Sequence, residues 1–154
     1  MKIKLSAGAQ KITPFLWFDG QAAAAAKFYT SVFKRAKIVS ESPMVVTFEL
    51  EGLRFMALNG GPQFKFNEAV SFFVQCRDQR EIDYFWKKLI SGGGEESQCG
   101  WLKDKFGLSW QIVPAIMGDL VGDEDEAKAG RAIQAMMKMK KLIIADLKKA
   151  HAGR

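Results

Sequence analysis

The sequence predicts an α+β fold built from two repeated strand–helix–three-strand (βαβββ) modules and closed by a C-terminal helix. Three observations predict it. First, Asp104–Pro114, DKFGLSWQIVP, reads as a tight turn entering a buried strand, and Glu51–Leu58, EGLRFMAL, is a degraded copy of it. Aligning Gly107 on Gly52 sets Leu108 on Leu53, Trp110 on Phe55 and Gln111 on Met56. Second, a shift of 57 carries Phe15 onto Phe72 and Trp17 onto Val74, and also carries Phe28, Tyr29, Val32 and Phe33 onto Phe85, Trp86, Leu89 and Ile90. One shift that covers a strand, a loop and a helix marks an internal repeat. The closing strands match at a shift of 55, so the second module is two residues shorter in between. Third, Ala115–Arg154 lies outside the repeat and carries its own helical period.

A chain of 154 residues suits a single domain, 1–154, with modules at 11–62 and 69–114 and a helical extension at 115–154. Such a domain buries enough surface to need no disulfide or metal staple. Cys76 and Cys99 form no metal-ligand spacing, and two thiols without an export signal fit a reducing cytoplasm. The start, MKIKLSAGAQ, has no apolar run of signal-peptide length, and no stretch approaches a membrane span. The formal net charge of +6 is uneven: from Arg131 onward there are seven Lys/Arg and one acid, Asp146. Without the aromatic and glycine pattern of a nucleic-acid motif, this reads as a solvated helix face, with neither nucleic acid nor membrane as partner.

Residues 1–10 form a leader. Lys11–Phe18 is a β-rich run, and Pro14 within it suits an edge position. Asp19 is placed to cap the helix Gln21–Phe33, which five consecutive alanines favour. Ala25, Phe28, Tyr29, Val32 and Phe33 fall on one face of it. Strands follow at Ala36–Ser40, Met44–Leu50 and, beyond the Glu51-Gly52 turn, Leu53–Asn59; Glu49 and Glu51 read as solvated. Gly60–Glu68 is a linker. The second module repeats the order: strand Ala69–Gln75, helix Asp78–Ile90 with Asp78 as cap, a stop at Gly92–Gly94, extended pieces at Glu95–Gln98 and Gly100–Lys103, and strand Leu108–Val113 before Pro114. Asp104 is positioned to brace the turn into that last strand. Glu126–Ala150 reads as one long helix whose apolar stripe, Ile133 to Leu147, must cover this chain's sheet or a partner.

The paired modules resemble the vicinal oxygen chelate superfamily, the fold of glyoxalase I, bleomycin resistance proteins and extradiol dioxygenases. ITPFLWFDGQAAAAAKFY, DKFGLSWQIVP and QAMMKMKKLIIADLKKA resemble its PhnB-like branch, often labelled 3-demethylubiquinone-9 3-methyltransferase. Lys105 departs from the branch, which usually has proline in that turn. The resemblance implies a curved mixed sheet around a cavity that holds ligand and, in metal-using members, an ion. Those members supply ligands near the start of the first strand and on the last strand of each module; His, Glu and Gln serve because their donors suit divalent first-row metals. Here the corresponding positions hold Ser71 and Gln111 in the second module and Pro14 and Met56 in the first. Pro14 has no side-chain donor, and Met56 suits a hard ion poorly. The expectation is no catalytic metal and no cofactor.

Nor does the methyltransferase label find a motif: the first strand-to-helix turn has one glycine, and Gly92–Gly94 follows a helix instead of preceding one. No Ser-His or Cys-His pair is available, since the only histidine, His151, lies three residues from the end and reads as solvated. What remains is a lined cavity. The pocket candidates are Pro14, Leu16, Met56, Ser71, Phe73, Ser109 and Gln111, with Trp110 packed under the helix on the opposite face. The sequence therefore reads as a metal-free binder of a small organic molecule and a homodimer. The alternatives are a metal-dependent lyase, isomerase or dioxygenase with an unusual ligand set including Gln111, and an interaction module using the basic C-terminal helix.

Overall fold

Pro14 decides where the first strand begins. It has no N–H to give a ladder, but its carbonyl accepts the Met56 N–H at 3.0 Å, and strand β1 (Phe15–Phe18) starts at the next residue, on the edge of its sheet. The computed structural model describes residues 10–154, and the chain divides into two compact units, Met1–Phe66 and Asn67–Arg154. The expected leader lies almost wholly outside the described residues. The boundary falls inside the expected linker.

The first unit is β1, α1 (Ala22–Val32), β2 (Lys37–Glu41), β3 (Val45–Leu50) and β4 (Leu53–Asn59). Its sheet has the order β1-β4-β3-β2, with β1 parallel to β4 and the other neighbours antiparallel. Alternate residues of the pleat point to opposite faces. Leu16, Phe18, Val46, Phe48, Leu50, Phe55 and Ala57 share the face that packs on α1, where Ala22, Ala25, Ala26, Tyr29 and Val32 are buried. Tyr29 stacks on Phe48 at 6.0 Å between ring centres, and Phe48 on Phe55 at 5.4 Å. Glu51 and Gly52 both take positive φ, 50° and 82°, which makes the two-residue turn whose twist matches a hairpin. Asp19 does not cap α1. The side chain of Asn59, at the end of β4, accepts the Ala22 N–H at 2.9 Å, so the cap comes across the unit from the sheet. Glu49 and Glu51 are not free in solvent: Glu49 pairs with Arg54 at 2.8 Å and Lys37 at 3.7 Å, and Glu51 with Arg35 at 3.3 Å.

The second unit repeats the plan. Its elements are β5 (Ser71–Cys76), α2 (Gln79–Ile90), the short β6 (Glu95–Glu96), β7 (Trp101–Lys103) and β8 (Ser109–Pro114), in sheet order β5-β8-β7-β6 with β5 parallel to β8. Asp78 caps α2 as the sequence predicts, accepting the Glu81 N–H at 2.9 Å. Ile82, Phe85, Trp86 and Leu89 form the buried face of α2, against the sheet face that carries Leu102, Trp110 and Ile112.

The expected single helix Glu126–Ala150 is two, and a further short helix precedes them where a polar turn was expected. Helices α3 (Met117–Val121), α4 (Glu126–Met137) and α5 (Ile144–His151) follow β8. No proline breaks the run between α4 and α5; tertiary contacts do. The carbonyls of Met139 and Lys140 accept the Cys99 and Gly100 N–H groups, each at 2.8 Å, and Leu142 is buried to 1% exposure. Gly100 permits this approach: its φ is 84°, and a Cβ there would stand 2.9 Å from the Leu142 side chain. Gln79 then fixes the start of α5, donating to the Leu142 carbonyl and accepting the Ile144 N–H at 2.8 Å. Part of the predicted apolar stripe covers this chain: Leu147 packs with Val113, Met117, Leu120 and Ala132, Met136 and Met139 lie against that cluster, and Leu142, outside that stripe, joins it. Among the described residues no helix is long and apolar enough to cross a membrane.

Candidate functional site

Strands β5, β8 and β7 bring the second unit's candidates together on the sheet face away from α2. Phe73, Gln111 and Trp101 are cross-strand partners in one row, and Ser71, Ser109 and Lys103 form the next. Gln111 is therefore flanked by two aromatic side chains, with Phe73 59% exposed and Trp101 half-buried. Its amide nitrogen donates to Ser71 Oγ at 2.9 Å. Ser109 is buried, and its hydroxyl has no partner among the described residues. Trp110 lies on the opposite face under α2, as the alternation requires. Lys103 is not a free charge in this row, because Glu68 pairs with it. That contact holds the Glu68 carboxyl below its usual range and the Lys103 ammonium above it.

Trp101 and Glu68 were not among the sequence candidates. The signal for Trp101 was present: β7 runs antiparallel to β8, so the partner of Gln111 must share its face. Glu68 sat in a stretch whose composition says only loop.

The first unit corrects two assignments. Phe15, not Leu16, is the partner of Met56, and Trp17 shares that face. Leu16 is 6% exposed on the face that packs on α1. Phe15 stands to Met56 as Phe73 stands to Gln111, so the first strands correspond at a shift of 58 while the helices keep 57. Thr13, not Pro14, is then the counterpart of Ser71. A slip of one residue in a strand exchanges its faces. Pro14 contributes its backbone carbonyl to β4 and no side-chain group.

The superfamily's metal can be tested against this donor set. Met56 offers a thioether beside Phe15; Ser71 and Gln111 are neutral and joined by one hydrogen bond, Gln111 Nε2 to Ser71 Oγ. Among the described residues no three His, Cys, Asp or Glu side chains cluster where an ion could be held. A divalent first-row ion needs anionic or imidazole donors, so these residues do not fit it. Asp104 braces the turn as the sequence predicts: it is 3% exposed, and its carboxylate accepts the Phe106, Leu108 and Trp110 N–H groups. The Cys76 thiol is pushed up to about 12, by burial first and then by the charges of Glu81 and Asp78, so it is no nucleophile. His151 is not solvated: its Nε2 meets Asp123 Oδ2 at 2.8 Å, with the side chain 20% exposed.

The family described as 3-demethylubiquinone-9 3-methyltransferase matches residues 10–113. The PhnB protein of Bacillus cereus, which carries the same label, is 36% identical over 69% of this chain and all of its own, with a TM-score of 0.63. A Pseudomonas aeruginosa protein superposes at TM-score 0.56 with 18% identity, covering 68% of this chain and 97% of its own. A glyoxalase-related enzyme from Fulvimarina pelagi does so at 0.51 with 15% identity, covering 70% and 91%. No curated protein matches the chain.

Proposed function

The chain belongs to the PhnB-like family labelled 3-demethylubiquinone-9 3-methyltransferase, within the glyoxalase/bleomycin resistance superfamily, and on that footing we propose that it binds a small organic molecule on the face of the second sheet away from α2 without a catalytic metal. The observation that carries the reading is the Ser71–Gln111 pair set beside the exposed ring of Phe73. A few polar groups fixed among apolar side chains describe a ligand site. Phe73, on the edge strand β5, and Trp101, on β7, border the pair with aromatic surface from either side. The first unit's counterpart, Phe15 beside Met56, offers an apolar surface of the same kind.

The reading extends to a homodimer in the cytoplasm. On α4, Ile133 and Met137 stand four residues apart, 40% and 61% exposed, and form an apolar strip. Cys76 and Cys99 are free thiols, which suits a reducing compartment. A mass measurement at micromolar concentration decides the dimer, and a monomer rejects it.

The deciding experiment for the site is a thermal-shift screen of small organic molecules on the full chain and on Phe73→Ala. Hits that lose their shift in the variant support the reading. Hits that keep it place binding elsewhere.

A further inference from the structure

We infer that the site selects a neutral, planar ligand whose edge carries a carbonyl next to an N–H, as an aryl carboxamide does. This rests on the reading above and names the ligand class for that site. The inference starts from the hydrogen-bond account of three side chains on one face, Ser71, Ser109 and Gln111. Gln111 Nε2 donates to Ser71 Oγ at 2.9 Å, which leaves Gln111 Oε1 as an acceptor with no partner among the described residues. Ser71 Oγ is used as an acceptor, so its own proton remains to be donated. Ser109 Oγ is buried and unpartnered among the described residues. Buried polar atoms in folded proteins are almost always paired, so an orphan hydroxyl in a lined site points at what the site takes.

The three groups together offer hydroxyl donors beside one amide acceptor. A ligand carbonyl answers the donors, and an adjacent N–H answers the acceptor. Turning the Gln111 amide over exchanges which of its ends is free, but one donor and one acceptor still wait to be met, so the complement is the same.

The charge state follows from Lys103. It is the cross-strand partner of Ser109, and it is already paired with Glu68, so no unpaired cation from this row meets a carboxylate. A carboxylate would meet only neutral donors here, the hydroxyls and the Gln111 amide, which offset the lost hydration of a full charge only in part. Planarity follows from the row itself. Neighbouring strands lie about 4.8 Å apart, so Phe73 and Trp101 flank Gln111 at a separation of about 10 Å, which admits one flat group against aromatic walls.

The test uses benzamide, benzoate and toluene, titrated by calorimetry into the full chain and into Phe73→Ala and Gln111→Leu. Gln111→Leu keeps the side-chain volume and removes the amide. Benzamide is expected to bind at least about tenfold more tightly than benzoate, the scale on which an unmatched polar group is rejected. In Gln111→Leu that preference should vanish while toluene still binds, at least as tightly as to the wild-type chain, and in Phe73→Ala all binding should weaken. Benzoate binding as tightly as benzamide, with both lost in Phe73→Ala, overturns the ligand class and leaves the site standing. Binding that Phe73→Ala leaves untouched, or no binding by any of the three, overturns both.

Discussion

The carboxylate of Asp104 receives the indole N–H of Trp110 at 2.9 Å, from a side chain that is 3% exposed. Its other oxygen accepts the backbone N–H groups of Phe106 and Leu108 at 2.8 and 3.1 Å. One buried residue therefore fixes both the turn and the ring at the start of β8, the strand that carries Ser109 and Gln111. Asp104→Ala strands three donors and is expected to cost about 3–5 kcal/mol. Asp104→Asn keeps an acceptor for the turn but turns an N–H₂ toward the indole, and should cost about 1–3 kcal/mol. Urea denaturation measures both. A loss below about 0.5 kcal/mol for Asp104→Ala would show that the turn holds without its brace.

The faces of β1 give a second prediction. Leu16→Ala empties a position packed under α1 and should cost about 2–4 kcal/mol. Phe15→Ala trims a ring that is 51% exposed and should cost under about 1 kcal/mol. The opposite order would restore Leu16 to the side of Met56 and refute the strand register.

That register also shows where the sequence could be read and where it could not. The repeat made the βαβββ order legible, because apolar spacing in α1 and α2 survives at one shift and the closing strands survive at another. The shared face of Ser71, Phe73 and Gln111 was legible for the same reason, since alternation on two parallel strands brings them together. The first unit failed by one residue, since the strands and helices repeat at different shifts and an apolar run such as PFLWF does not say which ring faces which way. The split of α4 from α5 was hidden in another way. Its cause is the pull of Cys99, Gly100 and Gln79 on residues about 40 to 65 positions later, which no local propensity records.

Gln79 supplies a third prediction. Its amide bridges the Leu142 carbonyl and the Ile144 N–H, and it also donates to Asp83 at 3.1 Å. Gln79→Ala leaves the entry of α5 without these partners. A loss of about 1–2 kcal/mol is expected, with faster amide exchange confined to α5. Unchanged exchange there would mean that apolar packing of Leu142 and Leu147 alone seats the helix.

Acid should weaken the fold through named carboxylates. Glu49 is held below its usual range chiefly by the Arg54 hydrogen bond, and Asp123 chiefly by the Asp125 backbone N–H and then by His151. A carboxyl whose folded pKa is lowered binds its proton more readily when unfolded. Its contribution is therefore complete above the unfolded value, 4.5 for Glu49 and 3.8 for Asp123, and is lost as pH falls toward the folded value. Glu49→Gln and Asp123→Asn should each make the denaturation midpoint less steep in pH below about 4.5, with little change in that slope near pH 7. A variant with the wild-type slope would show that its carboxyl gains nothing from those partners.

The two thiols should separate cleanly. Cys76 is fully buried, and its thiol lies near 12 because burial disfavours the thiolate, with Glu81 and Asp78 adding to the effect. Only a thiolate attacks a disulfide reagent, and at pH 8 the thiolate fraction of Cys76 is about one part in ten thousand even before access is considered. Cys99 is partly exposed, beside the exposed Met137, with its sulfur 3.9 Å from that thioether. Titration with a chromogenic disulfide at pH 8 should modify one thiol per chain, and peptide mapping should find the label on Cys99. The second thiol should appear at the rate of global unfolding, and Leu89→Ala, which loosens α2, should hasten it. Prompt labelling of Cys76 in the folded wild-type chain would mean that the core between β5 and α2 opens far more often than its packing implies.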